Sequence, residues 1–171
     1  MNWKQEIARL ALIKSEIKKL DVNGVWPYHL PSVAATETEI QEASTQVGGL
    51  FDGGYLDFLR HANGWDGFYQ SVNLFGCDDL VGGERMKKAV EALLDIDEIA
   101  LRQSELLRSE LIPIAASDVD VDIFFMSKNK LIGNVGVVWF AGQEIQRFQN
   151  FEEFFLAMID YNLEELRSFV G

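Results

Sequence analysis

Only one cysteine, Cys77, occurs in the 171 residues, so no internal disulfide can form and no thiolate zinc site can be built. That usage fits a reducing compartment. Histidine is almost as scarce. His29 and His61 are the only two, and neither lies in a nucleophile-elbow or cysteine-centred motif. The glycine pairs Gly48-Gly49, Gly53-Gly54 and Gly82-Gly83 lack both the Gly-Lys-Ser/Thr of a P-loop and the GxGxxG of a dinucleotide site, so turns account for them. No apolar run approaches the length of a membrane span. The first twenty residues are interrupted by Lys4, Glu6, Arg9, Lys14 and Glu16, which excludes the apolar stretch of a signal peptide. Positive charge is also short, with 15 Lys and Arg against 27 Asp and Glu, for a net charge of −12. A field of that sign repels nucleic acid and anionic membrane and favours a cationic partner, although solubility alone is served equally well. A cytoplasmic location is the resulting expectation.

What is present is an ordinary globular composition, 48% hydrophobic and 25% charged, long enough to bury a core without covalent staples. Trp3, Ile7, Leu10, Ile13, Ile17 and Leu20 recur at helical spacing, predicting one amphipathic helix that ends near Asp21–Gly24. Residues 21–35 hold Pro27 and Pro31 and read as a loop packed by Trp26 and Tyr28. Thr36 and Glu39 are spaced as a capping box. Asp52 caps a further helix through Tyr55, Leu56, Phe58, Leu59 and Ala62, which Asn63-Gly64 ends. Phe68–Phe75 reads as one strand. Residues 84–110 read as helix broken at Asp95–Asp97. From Leu111 the period changes. Strands are expected at 112–115, 121–126, 135–140 and 145–148, with turns at 127–130 and 141–143. Asn150 and Glu153 cap a closing helix with Phe151, Phe154, Phe155, Met158, Ile159 and Leu166 on one face. The expected fold is therefore α+β. One domain over residues 1–171 has an antiparallel-rich, mixed sheet, with N-terminal helices and a C-terminal helix packed on it.

The most suggestive polar cluster is Ser117-Asp-Val-Asp-Val-Asp122. On a strand, Asp118, Asp120 and Asp122 share one face while Val119, Val121 and Ile123 face the core. Such a face can be a solvated edge, an acidic docking surface or a divalent-cation site, but the glycine and distal glutamate of an EF-hand are missing. Trp65-Asp66-Gly67-Phe68 offers either exposed recognition anchors or core plugs, and core plugging is the expectation. No catalytic, cofactor or metal set is assigned, and the chain is read as a binder, not an enzyme.

Tyr55-Leu-Asp-Phe-Leu-Arg-His-Ala-Asn-Gly64 resembles the Y-x-x-F-L-x-x-x-N-G signature of the SUKH superfamily, the Smi/Knr-like proteins. Leu111–Ala115, Val135–Phe140 and Asn150-Phe-Glu-Glu-Phe-Phe-Leu156 are similar to later segments of that pattern, so the resemblance runs from about Thr36 to Tyr161. Leu50-Phe51 stands where the family has Leu-Pro, and Ser117-Asp118 where it often has Gly-Asp. The resemblance implies a bacterial immunity protein that neutralises a cognate polymorphic toxin, often a nuclease, by direct binding. The alternative it implies is a regulatory or scaffolding interaction module with no toxin partner. A basic toxin domain is the expected partner, and Asp66, Asp78, Asp79, Asp118, Asp120 and Asp122 are the candidate contacts.

Overall fold

A computed structural model describes residues 1–48, 51–127 and 136–171. The chain is α+β. Helices α1 (Trp3–Leu20), α2 (Glu37–Gln46) and α3 (Gly53–Leu59) come first, then strands β1 (Trp65–Tyr69) and β2 (Val72–Leu74). Three more helices follow: α4 (Cys77–Leu80), α5 (Glu84–Asp95) and α6 (Glu98–Gln103). A 3-10 turn at Arg108–Glu110 leads into β3 (Leu111–Ser117), β4 (Ile123–Ser127), β5 (Val137–Phe140), β6 (Glu144–Phe148) and α7 (Phe151–Val170). No helix among the described residues is long and apolar enough to cross a membrane.

The helix starts follow local chemistry. Asn2, Thr36, Asp52 and Asn150 each accept a backbone N–H in the first turn that follows, and Glu39 returns a bond to the Thr36 N–H (2.7 Å). The described strands form one antiparallel sheet in sequence order β1 to β6, with no parallel pair. Short turns join β1 to β2, β3 to β4 and β5 to β6, whereas β2 reaches β3 through α4, α5 and α6. β3, β4 and β5 are buried on both faces. Phe124 and Trp139 stack toward α7, where Phe154 and Tyr161 meet them; Phe125 and Phe140 pack on each other across the opposite face, and α5 lies against β3. The α1–α3–α7 layer is aromatic. Trp3, Tyr55, Phe58, Phe151 and Phe155 interlock, with Tyr55 and Phe151 stacked at 4.5 Å.

Several expectations change. Phe68–Phe75 is not one strand but a hairpin, β1 turning into β2 at Gln70-Ser71. The helix after Asp52 ends at Leu59 rather than Ala62, although Ala62 is buried as its pattern requires. Residues 118–122 are a turn and not a strand: Val119 and Val121 are 83% and 69% exposed instead of facing the core. α4 has no counterpart in the sequence reading. Ser127, expected to open a turn, ends β4, while the rest of that expected turn (128–130), the start of the strand expected from Val135, and Gly49 and Leu50 lie outside the described residues.

The Tyr55–Gly64 signature is explained by the fold. The Tyr55 hydroxyl donates to the Phe75 carbonyl (2.7 Å), and the Asn63 side chain accepts from the Cys77 N–H (2.7 Å). Gly64 has φ +87°, and a Cβ there would lie 2.7 Å from the Gly76 nitrogen. Only glycine tolerates both conditions. The motif thus joins α3 to the far end of the β1–β2 hairpin.

Candidate functional site

Three concavities lie around that hairpin and α5, and Arg85 lines all three. The largest, about 350 Å³, lies between the loop 21–35 and the sheet, lined by Val25, Trp26, Pro27, Asp66, Asn73 and Asp118 among others. The second, about 250 Å³, is bounded by Asn63-Gly64 and by Asp66, Asp78 and Asp79. The third, about 60 Å³, lies between α5 and Asp118, Asp120 and Asp122. Each of the six candidate carboxylates therefore borders at least one of three concavities that share Arg85 in their lining, which neither their spacing nor their order in the chain foretells.

Each carboxylate is placed by a different local device. Asp66 on β1 accepts from Arg85 Nη1 at 2.6 Å, and that hydrogen bond holds its carboxyl below the usual range. Asp79 on α4 accepts from the Gly76 N–H (3.1 Å), yet burial pushes its carboxyl up. Its neighbour Asp78 is exposed. Asp118, Asp120 and Asp122 are separated by the turn. The Ser117 hydroxyl accepts from the Val119 N–H (3.1 Å) and the Asp120 N–H (2.9 Å), while the Ser117 N–H donates to the Asp122 carbonyl (2.9 Å). Asp122 then accepts from the Trp139 indole (2.6 Å), and Asp118 from Asn73 (2.8 Å). Asn73 is 5% exposed and also receives the Gly67 N–H (2.9 Å), so it fixes the floor of the large cleft. The three carboxylates do not share a strand face. Among the described residues no three His, Cys, Asp or Glu converge on a point that could hold a metal ion.

Arg85 and Lys88 offset only part of the six negative charges, so the concavities together are net acidic. Exposed apolar side chains stand beside them: Val25 on the loop, Val119 and Val121 on the turn. This combination of carboxylates, a counter-ion and apolar knobs suits a protein surface carrying cations around a small apolar patch. Groups suited to covalent chemistry are poorly placed. Burial pushes the Cys77 thiol up to about 11, away from thiolate, and His61 is exposed with Nδ1 against the Asp57 carbonyl (2.8 Å). Trp65 and Phe68 are fully buried, which makes them core plugs.

Arg85, Asn73 and Trp26 were not legible as site residues. One signal for Arg85 exists: it is a cation in the first turn of α5, where the helix dipole disfavours it by up to about 1 kcal/mol, a cost that a carboxylate partner offsets.

A sequence model of the SMI1 / KNR4 family (SUKH-1) matches residues 34–157. No curated protein matches the chain.

Proposed function

Because the chain belongs to the SMI1 / KNR4 family (SUKH-1), a family of protein-interaction modules, we propose that it is an immunity protein that neutralises a basic toxin domain by direct binding. The observation that carries this reading is the set of three acidic concavities that share Arg85 in their lining, with Val25, Val119 and Val121 exposed beside them. A nuclease must present lysines and arginines to phosphate, and carboxylates in a shaped cleft can occupy those same cations. Asp78 and Asp120 are the freest members. Both are exposed, and neither carboxylate accepts a hydrogen bond that holds one element to another. Asp66 contributes by exchange, its Arg85 partner giving way to a cation of the toxin. Asp79, Asp118 and Asp122 chiefly shape the cleft.

The test is co-expression with a toxic domain encoded by a neighbouring gene, and a neighbourhood without one counts against the reading. Growth rescue by the wild-type chain, lost in the Asp78→Lys, Asp120→Lys double variant, is the expected result. Absence of rescue by the wild-type chain sinks the immunity reading. Rescue that survives the double variant moves the interface elsewhere.

A further inference from the structure

The loop over residues 21–35 borders both of the larger concavities: Val25, Trp26, Pro27 and His29 line one, and Ser32 lines the other. Between Asp21 and Glu37 it carries no Asp, Glu, Lys or Arg, in a chain that is 25% charged. Three of its aliphatic side chains face solvent, Val25 at 56% exposure, Leu30 at 79% and Val33 at 89%. A single exposed apolar residue is ordinary, but an uncharged run of them beside carboxylate-lined concavities marks an interaction surface.

The loop is pinned along its length. The Asp21 carboxylate accepts from the Val25 N–H (2.9 Å), the Trp26 N–H (3.1 Å) and the Tyr28 hydroxyl (3.0 Å). The Lys14 ammonium on α1 stands 5.4 Å from the Tyr28 ring centroid. Pro27 lies close on β1, where a Cβ at Gly67 would come within 2.7 Å of the Pro27 carbonyl oxygen. The Trp65 indole donates to the His29 carbonyl (2.8 Å). The Ser32 N–H donates to the Gly64 carbonyl (3.0 Å), the Asn63 N–H to the Val33 carbonyl (3.2 Å), and the Ala35 N–H to the Leu59 carbonyl (2.9 Å). Leu30 is thus held between two anchored residues, His29 and Ser32, and Pro31 fixes the backbone beside it. A side chain presented on so rigid a support loses little freedom on binding.

We infer that residues 25–33 form a rigid apolar ridge that enters a groove on the partner protein, with Leu30 as its anchor. The inference rests on the toxin-binding reading and adds an apolar half to the contact. The partner it fits has an apolar groove flanked on both sides by lysine or arginine. Charge complementarity selects that occupant. Asp66 and Asp118 line the concavity on the His29 side, and Asp66, Asp78 and Asp79 line the one on the Ser32 side. Flanking cations therefore meet carboxylates, while the groove between them meets only uncharged side chains. A second copy of this acidic chain would set carboxylates against carboxylates, which disfavours it as the occupant. The carboxylates speed encounter, and the buried leucine slows release.

Stopped-flow binding of the full chain to the toxin domain of a neighbouring gene, at low salt and at about 0.5 M salt, tests the ridge. Leu30→Ala and Leu30→Gln are each expected to weaken binding by about tenfold or more, through faster dissociation. The factor should be the same at both salt concentrations, because an apolar contact is not screened. Leu12→Ala removes a comparably exposed leucine (69%) from α1 and should leave binding unchanged, and all three variants should keep the wild-type thermal midpoint. Tight binding that survives both Leu30 variants overturns the ridge and leaves the immunity reading standing. So does a loss that vanishes at high salt, that is matched by Leu12→Ala, or that tracks a lowered midpoint. A wild-type chain that binds no such domain sinks both readings.

Discussion

Lys14 is the residue whose chemistry is most at odds with its place. It sits on the buried face of α1 between Ile13 and Ile17, and its ammonium is held at about 8 against an ordinary 10.5. The unfolded chain then binds that proton more tightly between pH 8 and 10.5, so this group's contribution to stability is lost as pH falls through 8 and is regained as pH rises toward 10.5. Replacing it with methionine is expected to raise stability at pH 7 by roughly 3 kcal/mol at most, since each pKa unit is worth about 1.4 kcal/mol. Urea denaturation of both proteins at pH 7 to 10 checks this. The gap between them should be widest at pH 7 and shrink upward. Taking the difference cancels Cys77 and Tyr69, whose protons the fold holds more tightly. The periodicity of α1 places Lys14 beside the apolar stripe but does not reveal the burial, because Glu165 and Tyr28 come from segments that are distant in sequence. Gly64 is the opposite case, where Asn63-Gly64 is legible as a helix stop and the fold adds a second demand. Gly64→Ala should cost more than about 2 kcal/mol, from the left-handed backbone together with the clash at Gly76, and thermal unfolding would show it.

At the scale of elements, legibility tracked how local the determining interactions are. The Thr36–Glu39 box, the Asp52 cap and the Asn150–Glu153 cap are each written within four residues, the α1 stripe repeats at steps of three or four, and all four helices lie where those signals place them. The β1–β2 turn was missed because its tip, Gln70-Ser71, carries no glycine. Gln70 adopts φ +49°, held by Glu165 and by the Ser71–Ser117 hydroxyl pair (2.7 Å). The 118–122 turn was missed for a local reason. Its Asp/Val alternation has the period of a strand, but the Ser117 hydroxyl captures two backbone N–H groups that a ladder would have used. Ser117→Ala should therefore cost about 1 kcal/mol and loosen the turn. Hydrogen exchange at Val119 and Asp120 should accelerate while β4 amides stay protected. If those two amides exchange unchanged, the hydroxyl is not what makes the turn.

For the whole molecule, the described strands and helices bring six of the 27 acidic residues, from β1, α4 and the β3–β4 turn, to concavities that share Arg85, which gives part of the net charge of −12 a location. The charge itself was plain in the composition. Its concentration was not, because Asp66, Asp78 and Asp118 meet only through β-pairing and the placement of α5. If these concavities receive a basic toxin domain, long-range attraction raises the association rate more than it slows dissociation. The rate constant should fall about tenfold or more between low salt and 0.5 M salt, where the screening length drops to a few ångströms. Asp78→Asn with Asp120→Asn should lower the low-salt rate several-fold and flatten that dependence with little change in stability, since both side chains are exposed. Arg85→Met should act in the opposite sense, raising the low-salt rate because Asp66 loses its internal counter-ion and the cleft becomes more acidic. Stopped-flow mixing with the purified toxin domain reads all three. Arg85→Met and the double asparagine variant shifting the rate in the same direction would show that these concavities do not steer the partner, even if the two proteins bind.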